Sequence, residues 1–263
     1  MPKHHRLDAE LVRRGLVASR NEAKLAIERG VVEVNGVPAQ RVATMVDADV
    51  PIALMGQPRR FVSRGGDKLD GALDRLGIDV RGQRWLDAGA STGGFTDCLL
   101  QRHASEIVAV DVGYGQLDWR LRNDDRVTVL ERLNVRTLKV DDLPWRPEGV
   151  VADLSFISLR LVVPVLTEVA QDGASFVVLV KPQFEVGKDK VGPGGVVKDP
   201  VMWAAAIAAV VEAGRAVGLG LQGAAVADPP GPAGNREFFL HLRAGDDVPG
   251  DHVRAAIADA GGG

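Results

Sequence analysis

Five charged residues stand where apolar runs begin or end. Trp85-Leu86 leads into Asp87, Ile107-Val108-Ala109-Val110 into Asp111, Val150-Val151-Ala152 into Asp153, and Phe176-Val177-Val178-Leu179-Val180 into Lys181. Glu237 directly precedes Phe238-Phe239-Leu240. A charge next to a buried strand is costly unless it is paired or functional. An Asp, a Lys and a Glu brought to one place can orient a hydroxyl and take up its proton. The same charges can form a structural ion-pair network. A sixth residue, Lys68, lies one position before Leu69 in an amphipathic stretch. By local spacing alone Lys68 reads as a solvated lysine on a helix face.

Asp87 also opens the stretch Asp87-Ala88-Gly89-Ala90-Ser91-Thr92-Gly93-Gly94-Phe95-Thr96. A strand ends at Asp87, three glycines let the backbone turn and leave space for a ligand, and a helix begins at Phe95. Strand, glycine turn and helix N-terminus form a nucleotide-type cradle. Asp111 lies about 20 residues beyond, where a ribose-binding carboxylate belongs. The spacing is not G-x-G-x-x-G, so a dinucleotide site is not indicated. The loop resembles the S-adenosylmethionine loop of Rossmann-like methyltransferases. A tight strand–helix turn without a ligand would leave the placing of Asp111 unexplained. Asp87 either holds loop amides or meets the amino-acid part of that cofactor. Asn134 either reads adenine with its amide or serves as a turn residue.

These residues need a sheet to hold them. Strands are expected at Arg84–Asp87, Ile107–Asp111, Val127–Leu130, Val150–Asp153 and Phe176–Val180. Helices alternate with them near Phe95–Gln101, Gln116–Leu121, Leu161–Val169 and Pro200–Val217. Continuous apolar strands imply cover on both faces, hence an α/β, doubly wound, mostly parallel sheet. Leu219–Val226 and Phe238–Leu242 have no helix between them, so the last strand should run antiparallel. That ending is usual for Rossmann-like methyltransferases. A final helix is expected over Val253–Ala260. Ligands bind outside the carboxyl ends of such strands, where the charged residues stand.

A smaller unit precedes the sheet. Leu7, Leu11 and Val12 share a helical face that stops at Gly15. Ser19-Arg20-Asn21-Glu22 is a capping box for a second helix. Val31–Val34, Asn35-Gly36 and Val37 read as a hairpin, and Val50–Leu54 as a further strand. Glycine and proline from Pro51 to Pro58 mark a boundary. The chain thus divides into an N-terminal domain over residues 1–58, a linker over 59–62 and a large domain over 63–263.

Composition narrows the function. Residues 1–64 hold 11 Lys and Arg against 7 Asp and Glu, a net +4, while the remainder carries −7. A basic head on an acidic body suits an anionic partner such as RNA. Cys98 is the single cysteine, so no intrachain disulfide is expected, and five scattered histidines give no metal spacing. No apolar run reaches the length of a membrane span and Met1–Arg13 lacks a signal-peptide core. A cytoplasmic protein is expected.

The segment "RLDAELVRRGLVASRNEAKLAIERGVVEVNGVPA" resembles the small RNA-binding module named after a ribosomal small-subunit protein. By position it would present Arg6, Arg14, Arg20, Lys24 and Arg41 to RNA, with Arg59 and Arg60 following in the linker. Glu10, Glu22 and Glu28 are placed to pair with these residues and dilute the field. The segments "SRGGDKL", "LDAGASTGGFTD", "VDVGYGQLDWRLRND", "ADLSFISL", "VKPQFEVGK", "VGPGGVV" and "GPAGNREFFL" together resemble the TlyA family. That family joins such a head to an FtsJ-type 2′-O-methyltransferase domain. The resemblance implies S-adenosylmethionine as cofactor, cytidine 2′-hydroxyls of ribosomal RNA as substrate and no metal. The family's Lys-Asp-Lys-Glu tetrad falls on Lys68, Asp153, Lys181 and Glu237. Cofactor contacts would come from Asp87, the loop from Gly89 to Thr96, Asp111, Val112, Asn134, Asp153 and Phe156. Lys181 would be the base or the orienting group at the ribose oxygen. Asp153 would orient Lys181, Lys68 would be the nearby cation and Glu237 would hold Lys68. Two readings of other classes stand beside this one. A membrane-active hemolysin finds no long amphipathic basic helix in the sequence. An RNA-binding protein with a silent methyltransferase domain is at odds with the complete tetrad.

Overall fold

The structure, a computed structural model, describes residues 4–17, 19–47, 49–55, 60–231 and 233–261. Two compact units divide it, Met1–Arg60 and Phe61–Gly263.

The first unit runs β1 (His4–Arg6), α1 (Leu7–Arg13), α2 (Arg20–Glu28), β2 (Val32–Val34), β3 (Val37–Pro38), β4 (Met45–Asp47) and β5 (Ile52–Leu54). Leu7, Leu11, Ala23, Ile27 and Val32 form its core. The Ser19 hydroxyl accepts a hydrogen bond from the Glu22 N–H and starts α2. Asn35 and Gly36 both have positive φ, +53° and +77°, the backbone of a tight hairpin turn between β2 and β3. β2 pairs with β3 on one side and β5 on the other, all antiparallel. The pairing of β1 with β4 was not legible. His4-His5-Arg6 has no apolar alternation, and its place depends on backbone hydrogen bonds.

The second unit runs α3 (Arg64–Leu76), β6 (Arg84–Ala88), α4 (Gly94–Gln101), β7 (Glu106–Asp111), α5 (Trp119–Arg122), β8 (Val127–Glu131), β9 (Gly149–Ala152), α6 (Val163–Val169), β10 (Ser175–Val180), α7 (Pro182–Glu185), α8 (Pro200–Arg215), β11 (Leu219–Val226), β12 (Phe238–Ala244) and α9 (His252–Gly261). The sheet order is β11-β12-β10-β9-β6-β7-β8. The strands from β10 to β8 are parallel, and β12 runs antiparallel to both its neighbours. Alternate residues of each strand enter opposite cores. Leu86, Val108, Val150 and Val178 face Leu166, Ile207 and Val210. Trp85, Ile107, Val151 and Val177 face Leu69, Leu73 and Leu99. This two-sided burial explains the unbroken apolar runs. Burying each large side chain contributes ~1.5–3 kcal/mol.

Three local details differ from the sequence reading. The helix expected from Gln116 is one turn at Trp119–Arg122, started by the Asp118 side chain, which accepts from the Arg120 N–H. The helix expected from Leu161 begins at Val163, after a tight turn over Leu159–Leu161. Phe61 and Val62, read as connector, are packed into the second unit. Phe61 is 2% exposed, and the Val62 N–H donates to Asp97 Oδ2 at 2.8 Å. Among the described residues no helix is long and apolar enough to cross a membrane.

Candidate active site

The strand order reverses at β6, whose neighbours are β7 and β9. The crevice beyond the carboxyl ends of these strands is where an open α/β sheet binds ligands. The cradle turns there. Gly89 has φ +89°, and a Cβ on it would stand 2.5 Å from the Asp153 carbonyl oxygen. Only glycine lets the loop lie that close to the end of β9. Gly93 has φ +95°, and its Cβ would meet Leu121 at 2.3 Å and Leu117 at 2.8 Å. Of the two expected reasons for a glycine there, backbone turn and ligand space, the positive φ supports the first, and packing against Leu117 and Leu121 adds a third. Ala90 is buried, while Ser91 and Thr92 are exposed on the turn.

Asp111 holds this loop. Its Oδ2 accepts from the Ser91 N–H at 2.8 Å and its Oδ1 from the Gly113 N–H at 2.7 Å. Asp87 is fully buried. Its Oδ2 accepts from the Thr96 hydroxyl at 2.6 Å, and its Oδ1 has no hydrogen-bond partner. Burial, with Asp153 and Asp111 adding repulsion, pushes the Asp87 carboxyl up to about 7, against the hydrogen bond from Thr96.

Two expected cofactor contacts, Phe95 and Thr96, sit differently from the expectation. The Phe95 ring is 3% exposed and packs on Phe239, centroids 5.9 Å apart, so it belongs to the core. Thr96 is fully buried and its hydroxyl is taken by Asp87. Both helix positions point inward because α4 packs its first turn against α3 and the sheet. Asn134 Oδ1 accepts from the Arg136 N–H at 3.0 Å and so caps the turn, with its amide nitrogen outside that bond. Phe156 is 92% exposed, has φ +64°, and stacks against Phe184 at 5.2 Å. Val112 is exposed at the rim.

The tetrad forms two ion pairs. Lys68, on α3, donates to Glu237 Oε2 at 2.6 Å, and both residues are buried. Lys181, one residue beyond β10, pairs with Asp153, one residue beyond β9. It also donates to Ser155 Oγ at 3.1 Å. The register Val180↔Phe238 sets Lys181, just after β10, beside Glu237, just before β12. Parallel crossovers and one antiparallel insertion thus bring residues 68, 153, 181 and 237 to one sheet edge.

Sequence reasoning missed Ser155 and Asn235. Asn235 is 4% exposed; it accepts from the Val197 N–H at 3.0 Å and donates to the Gly195 carbonyl at 2.9 Å. It pins a glycine-rich loop beside the site, and its closeness to Glu237 in sequence was the available signal. A cleft of about 850 Å³ opens between Phe156–Ser158, Gln183–Phe184 and Gly192–Gly195. Among the described residues no three His, Cys, Asp or Glu side chains are grouped to hold a metal ion.

In the N-terminal unit the expected RNA contacts are partly engaged. Arg6 donates to both oxygens of Asp8, at 3.0 and 3.1 Å. Arg14 donates to Glu10 at 2.7 Å and to the Val50 carbonyl at 2.7 Å. Arg20 stands 3.8 Å from Asp8 and Lys24 3.8 Å from Glu28. Arg41 and Arg60 are exposed; Arg59 lies outside the described residues. The buried Glu10 also binds Arg13 and falls to about 2, held there by the Arg13 and Arg14 guanidinium groups against its burial.

A seven-stranded sheet with one antiparallel insertion, a glycine cradle after its central strand and a charged carboxyl edge define the Rossmann-like methyltransferase class. Residues 61–244 match the FtsJ-like methyltransferase family and residues 5–52 the S4 domain. The chain belongs to the TlyA family, in which these two parts are joined. It is 52% identical over 248 residues to the 16S/23S rRNA (cytidine-2'-O)-methyltransferase TlyA of Mycobacterium tuberculosis, covering 94% of this chain and 92% of that protein. Hemolysin A of Brachyspira hyodysenteriae is 38% identical, covering 75% of this chain and 82% of that protein. Among solved structures, the "Putative hemolysin from Streptococcus thermophilus" superposes with a TM-score of 0.74 at 35% identity, covering 99% of this chain and 96% of that one.

Proposed function

We propose that this protein transfers a methyl group from S-adenosylmethionine to the 2′-hydroxyl of a cytidine in ribosomal RNA. The observation that carries the reading is the pairing of Lys181 with Asp153 at the open end of the sheet, beside the glycine cradle. The residues present fit the cofactor. The buried, unpartnered Asp87 Oδ1 suits its cationic amino group. The exposed Ser91–Thr92 turn, held by Asp111, suits its ribose and adenine side. When bound, the cofactor supplies a methyl already activated by a sulfonium.

The chain's own residues do the rest. Lys181 meets the ribose 2′-hydroxyl as base or orienting group. Asp153 and Ser155 fix its amino group, which takes up the hydroxyl proton only as the neutral amine and as the ammonium orients the oxygen. Lys68, held by Glu237, adds positive charge at the same edge. Holding the oxygen in line makes the transfer effectively unimolecular. The cleft beside Phe156 has the volume of a small-molecule pocket, ~300–1,000 Å³, and takes the acceptor nucleoside. The S4 domain supplies affinity for RNA through its exposed basic side chains.

Purified protein, labelled S-adenosylmethionine and ribosomal subunits test this directly. A 2′-O-methyl cytidine should appear at a defined position in ribosomal RNA. Tight RNA binding without single-turnover transfer would overturn the enzymatic reading. Lysis of liposomes without transfer would favour a membrane-active protein.

A further inference from the structure

Glu185 is a buried carboxylate that the chemistry above does not use. Its residue is 7% exposed, in the last position of α7. Its Oε1 accepts from the Leu159 N–H at 2.7 Å, and its Oε2 accepts from the Ser158 hydroxyl at 2.5 Å. Arg160 approaches the same Oε2 at 3.5 Å. Burial pushes the Glu185 carboxyl up, against these hydrogen bonds. Both oxygens of this buried acid have a hydrogen-bond donor, as its burial requires.

Its position matters more than its burial. Glu185 lies four residues after Lys181, and Ser158 lies five residues after Asp153. The two segments that leave β9 and β10 are therefore joined at three levels. At the base, Lys181 pairs with Asp153 and donates to Ser155 at 3.1 Å. One step out, the rings of Phe156 and Phe184 stack at 5.2 Å. Outermost, Glu185 grips Ser158 and Leu159. On the β9 side of the inner levels Ser155 and Phe156 are exposed, so that segment has little packing of its own to fix it. Phe156 also sits at φ +64°, a backbone state that a bulky residue keeps only when its surroundings impose it.

We propose that Glu185 is a positioning residue for methyl transfer: it clamps the segment after β9 to the turn after β10 and so sets the Lys181–Asp153–Ser155 geometry. The inference rests on the function proposed above. Closing two loops onto each other at their outer end removes their independent motion, and a reacting group displaced by about 1 Å can lose ~100-fold in rate.

The test uses the full chain with saturating S-adenosylmethionine and ribosomal subunits. Glu185→Ala should lower the saturating rate at least tenfold and leave KM for S-adenosylmethionine within twofold. Glu185→Gln should fall between the wild type and Glu185→Ala, because its amide oxygen can still accept from the Leu159 N–H, whereas Ser158 Oγ already accepts from the Arg160 N–H and Nε–H and cannot take a third donor. In a Lys181→Ala background, Glu185→Ala should add less than a twofold loss, since no lysine is left to position. If circular dichroism shows Glu185→Ala misfolded, Ser158→Ala, which removes one grip from the loop side, should lose at least threefold. Wild-type transfer together with an unimpaired Glu185→Ala or, in that fallback, an unimpaired Ser158→Ala overturns this inference alone. So does an equal loss with and without Lys181. A wild-type protein that transfers no methyl overturns the proposed function as well.

Discussion

Lys68 and Glu237 close on each other inside the protein, whereas Lys181 and Asp153 meet near its surface. The side chains of the first pair are 8% and 3% exposed, those of the second 12% and 26%. Both pairs stand at one sheet edge and use the same chemical groups. The closed pair ties α3 to the start of β12, and both of its side chains are buried. The open pair has an exposed serine and an exposed phenylalanine beside it. Depth thus separates a pair shut inside the protein from a pair that borders exposed residues.

The sharpest way to break this contrast is to remove one member of the closed pair. Lys68→Ala leaves the Glu237 carboxylate buried without its cation. Stability should fall by ~3–5 kcal/mol, a drop in Tm on the order of 10 °C. Removing both charges together, Lys68→Met with Glu237→Gln, should be less destabilising than Lys68→Ala. A thermal melt of Lys68→Ala matching the wild type would mean that the closed pair does not hold the edge.

The open pair should respond in the opposite way. Lys181→Ala should lower single-turnover transfer on the order of a hundredfold or more, with cofactor and RNA affinities nearly unchanged. Lys181→Arg should not restore it, because a guanidinium is planar and stays protonated. Near-normal transfer by Lys181→Ala would make both pairs structural and erase the difference between them.

The depth of the two pairs could not be read from sequence. Strand ends were legible because each apolar run stops at a charge, as at Val180-Lys181. The pairing of Lys68 with Glu237 followed from family motifs, since 169 residues separate the two. Spacing does not say which side of a turn a side chain leaves. Hence Phe95 and Thr96 were placed in the cradle, although α4 turns both toward the core. Nothing in the local sequence marks Glu185, because its burial arises only when the loop after β9 folds over α7. The hairpin at Asn35-Gly36 was legible since its turn chemistry is local. β1 was not, because its partner β4 lies some 40 residues away.

Asp87 supplies an intermediate case, a buried carboxylate with no cation at all. Unfolded, such a group loses its proton near pH ~3.9; folded, it does so at about 7. Between those values the folded state holds the extra proton, so this group makes stability fall as pH rises, by at most ~1.4 kcal/mol per pH unit. Urea unfolding at pH 6 and pH 7 should show the fall, and Asp87→Asn should remove this contribution. Added S-adenosylmethionine should shrink it, because a cationic group beside Oδ1 favours the charged carboxylate. An identical pH slope in Asp87→Asn would remove Asp87 from this role.

The smallest effect on folding belongs to a third lysine–carboxylate pair. Lys24 and Glu28 stand one helical turn apart on α2, 3.8 Å from each other, with side chains 57% and 48% exposed. Water and salt screen such a pair, so Lys24→Ala should leave the melting curve where it is. RNA binding is another matter. If Lys24 neutralises one phosphate, the slope of log affinity against log salt should shrink by about one. The single-turnover rate at saturating RNA should not change, since Lys24 lies in the S4 domain and outside the tetrad. Measuring affinity at several salt concentrations beside that rate places Lys24 on the binding side of the division. A lost rate with an unchanged salt slope would move it to the chemical side, where neither its depth nor its neighbours put it.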